Sequence, residues 1–181
     1  MRRKRLRFDR FLVTLFTCHA GEERIIPPGE LNRGISDTSP IEDLLAAHPT
    51  AKLLTPITIF TKGSFESINS EGILRHIPAG DGAWRVAKSE SLENFRLRAR
   101  EDDSEYHCLL PLDREVRYWH RKPVNCHAGD SVELKRGQML YVATGIVDVA
   151  GQRFTGPAMV ESSRDQAAEI IERAIGVIIW K

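Results

Sequence analysis

From Lys52 to Lys181 the chain is a succession of short runs rich in β-branched and aromatic residues, each cut after a few positions by Gly, Pro, Asn or Asp. Parallel strands need a crossover of roughly a dozen residues between them, usually a helix. Punctuation this close leaves no room for one, so the pattern predicts antiparallel pairing in a mainly β sandwich or barrel. Strands are expected near 53–60, 65–68, 73–77, 83–88, 94–99, 106–110, 115–120, 131–134, 138–144, 146–150, 158–161 and 176–180. Pro56, Pro78, Pro111 and Pro123 belong at edges, strand starts or turns, because each lacks the donor that a central ladder uses.

Helical signals are few. Ser39 as N-cap, Pro40 in the first turn and Glu42 completing a capping box predict one short helix over 40–48, which Pro49 ends. "SSRDQAAEIIERA" admits two readings: a C-terminal helix over 164–174 capped by Ser163, with Ala167, Ile170, Ile171 and Ala174 on one face, or a strand. Propensity favours the helix. Pro27, Pro28 and Gly29 make "GEERIIPPGELNRG" an irregular connector. The expected division is a basic N-terminal arm and connector over 1–34, then a single β-sandwich domain over 35–181 with one main core.

The net charge of +1 hides an asymmetry. Arg2, Arg3, Lys4, Arg5, Arg7 and Arg10 against Asp9 give the first ten residues +5, leaving −4 for the rest. The arm has three readings. A basic start before "FLVTLFTC" mimics a signal peptide, but its apolar core is short. Phe8, Phe11, Leu12, Leu15 and Phe16 also fall on one face of a helix ringed by arginines, suited to nucleic acid, acidic lipid or a partner. The plainest reading is a solvated basic tail leading into a first strand. No apolar run approaches the ~20 residues of a membrane helix, and three cysteines form no disulfide framework. A cytoplasmic or assembly-bound protein that is not secreted is expected.

The stretch "AGDSVELKRGQMLYVATGIVDVAGQRFTGPAMV" resembles the second half of a cupin-type jelly roll. The resemblance rests on Gly129-Asp130, Gly137, Leu140-Tyr141-Val142, Gly145, Val147-Asp148-Val149, Gly151 and Gly156-Pro157, and it implies a jelly-roll sandwich. Metal-dependent cupins place two histidines and a carboxylate between the Gly-Asp turn and the next glycine. Here "DSVELKRG" holds no histidine, and Glu133 alone cannot hold a metal, so neither a metal nor another cofactor is expected.

Cys18-His19, His107-Cys108 and Cys126-His127 are each adjacent in sequence. Neighbours in a strand point to opposite faces, so each pair offers at most one ligand to a common site, and the spacings fit no zinc motif. Buried structural thiols are expected, and no catalytic residue is assigned. Tyr118, Trp119, His120 and Arg121 form an aromatic-basic cluster suited to sugars, nucleotides or phosphates, with His76 and Tyr141 as further ligand-binding candidates. Arg96, Arg98 and Arg100 alternate with apolar residues, so a strand would align three guanidinium groups as an anion- or partner-binding row, or as a charge-balanced surface. Taken together, these features suit a non-catalytic binding or assembly protein, a homo-oligomer or a subunit of a virion-like complex. Two alternatives stand beside it: a cupin-like binder of carbohydrates or small molecules, including an isomerase or epimerase, and a nucleic-acid-binding regulator using the arm.

Overall fold

The computed structural model describes residues 1–26, 57–69, 72–80, 95–112 and 119–181. These residues form fourteen strands: β1 (Arg2–Arg7), β2 (Phe11–Cys18), β3 (Glu23–Ile26), β4 (Ile57–Lys62), β5 (Ser64–Asn69), β6 (Gly72–Pro78), β7 (Phe95–Ala99), β8 (Ser104–Pro111), β9 (His120–Cys126), β10 (Ser131–Leu134), β11 (Met139–Val149), β12 (Gln152–Thr155), β13 (Ala158–Glu161) and β14 (Gln166–Trp180). The mainly β, cupin-like expectation holds. The helix over 40–48 and the strand near 83–88 lie outside the described residues.

Three antiparallel sheets result. A middle sheet runs β1-β2-β8-β4, an outer sheet β3-β7-β5-β6, and a C-terminal sheet β10-β14-β11-β12, with β13 also on β11 and β9 on β14. Alternation along the middle-sheet strands gives that sheet two buried faces. Phe16, Tyr106 and Phe60 point toward the outer sheet and meet Phe65, Ile77, Leu97 and Ala99. Phe11, Val13, Ile57, Ile59 and Leu109 point the other way, onto Met139, Tyr141, Ile175, Val177 and Ile179 of the C-terminal sheet. The middle and outer sheets thus make an N-terminal sandwich.

The C-terminal sheet closes over itself. β11 and β14 pair along most of their length, with register shifts between Val142 and Val147, and their distal halves fold over to enclose Leu140, Val142, Val147, Val149, Ala168, Ile170 and Ile178. Two glycines permit the bend. Gly145 has φ +91°, a conformation L side chains avoid, and a Cβ there would fall on the Arg173 carbonyl; a Cβ at Gly176 would fall on the Tyr141 carbonyl. Where β11 and β14 lie between two cores both of their faces are buried, so their sequence reads as a continuous apolar run rather than an alternation.

Two expectations are corrected. The C-terminal helix over 164–174 is β14: its residues pair with Ser131–Leu134 on one side and with β11 on the other, and these ladders outweigh the helical preference of "QAAEIIERA". The two strands foreseen over 138–150 are one bulged strand. The basic segment is strand rather than tail, since β1 pairs with β2 and β2 with β8, placing residues 2–18 in the middle sheet. Three buried clusters stand where one main core was expected. Pro123 lies on β9, which among the described strands pairs only with β14, in keeping with an edge position. No helix among the described residues is long and apolar enough to cross a membrane.

Candidate functional site

The inner face of the middle sheet carries two adjacent cross-strand rows. Phe16, Tyr106 and Phe60 align as an aromatic row across β2, β8 and β4, and Thr14, Cys108 and Thr58 align beside them as a polar one. Arg5 of β1 pairs with Thr14 and continues the polar row. Phe16 stacks on Tyr106 at 4.8 Å, and Phe65 meets Tyr106 edge-on at 5.5 Å, an arrangement favoured by ring quadrupoles.

Arg24 descends onto both rows from the facing sheet. On β3, Glu23 pairs with Arg98 on the outside, so Arg24, opposite the buried Leu97, must point inward. Its guanidinium carbon lies 4.6 Å from the Phe16 ring centroid, and Nη1 donates to the Tyr106 hydroxyl at 3.1 Å. Cys108 is its other polar neighbour, and Thr58 Oγ1 lies 3.7 Å from Cys108 Sγ. Burial pushes the Tyr106 hydroxyl far above the ordinary tyrosine range, against a smaller opposing effect of Arg24. At neutral pH Tyr106 is therefore a phenol that accepts a hydrogen bond without neutralising the arginine.

No carboxylate among the described residues pairs with Arg24. Glu22 binds the Met1 amino group and the His19 amide. Glu23 accepts from Arg98 at 2.7 Å and Arg96 at 3.2 Å on the outer face. Glu66, 8% exposed, lies 3.2 Å from Arg100 and 3.8 Å from Arg98. Glu105 points through the opposite face of the middle sheet to His107. Buried charges are ordinarily paired; among the described residues this half-buried one is held by a ring, a phenol and a thiol.

The sequence-derived candidates do not converge. Tyr118 lies outside the described residues. Trp119 is buried against Phe11 at 5.2 Å, with Lys181 over its ring and its Nε1 without a hydrogen-bond partner among the described residues. His120 stacks on Trp180 at 5.4 Å, and Arg121 is its half-buried neighbour on β9. His76 sits exposed on β6, 3.7 Å from Glu66 Oε1. Tyr141 belongs to a core network: its hydroxyl lies 2.9 Å from His107 Nδ1, whose Nε2 lies 3.1 Å from Glu105 Oε1, while Thr61 donates to the same oxygen at 3.0 Å. Because the carboxylate only accepts, Nε2 carries the proton given to Glu105, and Nδ1 shares a hydrogen bond with the Tyr141 hydroxyl, leaving no polar atom of His107 unmet.

Arg96, Arg98 and Arg100 do share a row, balanced by Glu23 and Glu66 rather than by the acidic residues that follow them. Arg2 lies 3.5 Å from Asp103 and Arg10 3.5 Å from Glu161. Arg3, Lys4, Arg5 and Arg7 make no ion pair among the described residues. None of the three cysteines forms a disulfide: Cys18 is buried, which raises its pKa, and Cys108 and Cys126 are half-buried. On β10, Val132 and Leu134 point inward while Glu133 is exposed, so the position where metal-dependent cupins gather ligands does not fit a metal. No group of three or more His, Cys, Asp or Glu side chains suited to a metal forms among the described residues.

Sequence reasoning passed over Arg24. It sits in a segment read as connector, and its polar partners are about eighty residues away on β8; the only local signal was the alternation of Glu23, Arg24 and Ile25 before the prolines.

No family model and no curated protein matches the chain. Solved structures do resemble it. HutD from Pseudomonas fluorescens SBW25, solved in a formate condition, matches at TM-score 0.54 and 8% identity over 94% of this chain and 78% of that one. Bacterial pirin YhhW from Escherichia coli, in complex with nickel(II), matches at 0.50 and 9% over 95% and 82%. A cupin 2 conserved barrel domain protein from Leptotrichia buccalis reaches 16% identity over 98% and 86%, at TM-score 0.47. The fold is a cupin-like jelly roll.

Proposed function

We propose that the protein is a cupin-like small-molecule-binding protein that takes its ligand on the inner face of the N-terminal sandwich. One observation carries this reading: Arg24, Tyr106, Cys108 and Thr58 converge inside that sandwich, whereas the C-terminal interior is packed with valine, leucine, isoleucine and alanine. Ligand sites combine apolar surroundings with a few convergent polar groups, and among the described residues these four supply that combination inside the N-terminal sandwich. The fold neighbours support this reading over an assembly subunit.

Thermal-shift screening of a small-metabolite library on the wild type, Tyr106→Phe and Thr58→Val tests it. Compounds that stabilise the wild type should lose most of their effect in both variants. Ligands that stabilise all three equally, or no ligand at all, would remove the proposal. The cations of β1 that make no ion pair among the described residues, Arg3, Lys4, Arg5 and Arg7, favour a second, accessory reading, contact with nucleic acid; if so, DNA binding weakens steeply with salt, and its absence at low salt disposes of it.

A further inference from the structure

Resting on the N-terminal sandwich as the ligand site, we infer that its ligand is a small carboxylic acid whose carboxylate pairs with Arg24. The guanidinium is always charged at working pH, and every nearby carboxylate of the described chain is committed elsewhere: Glu22 to the amino terminus, Glu23 and Glu66 to the outer arginines, Glu105 to His107. What holds Arg24 is an aromatic face and a neutral hydroxyl. Both fix the plane and direction of the fork without consuming its charge.

Of the donors of that fork, Nη1 is used on Tyr106, and the thiol of Cys108 is a weak partner. The rest suit the two parallel hydrogen bonds that a carboxylate accepts from arginine. Thr14 and Thr58 flank Cys108 on either side, so their hydroxyls border the same place and could accept or donate to the ligand's second polar group. Phe16 and Tyr106 lie buried beneath the guanidinium and hold it in place. A second cation, Arg5, lies on the same row at the solvent edge, adding to the local positive potential without being needed for the pairing.

A half-buried charge with no carboxylate partner among the described residues also bears on the stability of the protein without ligand. It is a cost to stability that an apolar side chain of similar reach would relieve, so the ligand-free Arg24→Met variant should melt higher than the wild type, by about 2 to 4 °C for each kcal/mol relieved. If Arg24 served only to hold the fold, the same substitution would lower the melting temperature.

The ligand test is isothermal titration of the full chain with benzoate and acetate against benzamide and acetamide, for the wild type, Arg24→Met and Arg24→Lys. The acids should bind at least about tenfold tighter than their amides, a step of about 1.4 kcal/mol. Arg24→Met should abolish the preference, and Arg24→Lys should keep part of it, having charge without the fork. Amides binding as well as acids, or acid binding that survives Arg24→Met, would overturn the carboxylate inference while leaving the site in place. Acid binding that is lost in Arg24→Met but indifferent to Tyr106→Phe and Thr58→Val would instead count against the site as described. A wild type that binds none of the four overturns the inference, and the library screen then decides the broader reading.

Discussion

His107 is 1% exposed, and Glu105 and Tyr141 satisfy its ring from both sides, with Thr61 in turn donating to the Glu105 carboxylate. Its hydrogen bond holds the Glu105 carboxyl below the ordinary glutamate value of 4.5, with burial opposing and the Thr61 hydroxyl assisting. A carboxyl depressed in the fold contributes stability that is complete above its unfolded value and is lost as the pH falls through its folded value. Melting temperature followed from pH 6 down to pH 2, roughly the range of carboxyl titration, should therefore decline below about 4.5, and Glu105→Gln should flatten part of that decline. An unchanged acid limb in the variant would show that the network contributes nothing there. Tyr141→Phe leaves Nδ1 of the buried ring without its hydrogen-bond partner and should cost about 1 to 3 kcal/mol by chemical denaturation. Neither role was legible beforehand: the "LYV" pattern marks Tyr141 as a strand residue, while the partner that makes it structural sits on a different sheet, thirty-four positions away.

Strand β14 shows where local reading stops. Gln166 to Trp180 carries the alanines, glutamates and isoleucines of a good helix, yet β9, β10 and β11 all hydrogen-bond to it. Its partners decide its state, and a sequence window does not contain them. The strands after Gly129 were otherwise well marked, because their turns are local chemistry: the His127 amide donates to Asp130 Oδ2 at 2.8 Å, and Gly129 and Gly137 take positive φ. Gly145 was visible as a turn signal but serves as a bend inside one strand. Gly145→Ala adds strain at φ +91° to a clash with the Arg173 carbonyl, and should lower stability by about 3 kcal/mol. A denaturant midpoint equal to that of the wild type would refute this account of the bend.

At the scale of the molecule, the middle sheet belongs to two cores at once, the aromatic one shared with the outer sheet and the one shared with β11 and β14. Two sandwiches joined through a common layer of Phe11, Ile57, Leu109, Tyr141 and Val177 should unfold together. Tryptophan fluorescence and far-ultraviolet circular dichroism should give coincident transitions, and two separated transitions would show the shared layer to be weak. The overall class could be read from the close spacing of β runs and the Gly-Asp corner, but the division into two sandwiches could not, because the first strands were disguised by their arginines as a tail. The pairing of β14 also sets an order of events during synthesis. β9, β10 and β11 all precede it in the chain, so on a growing polypeptide these strands remain open-edged until Gln166–Trp180 has been added. The C-terminal half then zips shut in one late step, and until that step a nascent chain is at its most exposed to chaperones and to pairing with the wrong strand.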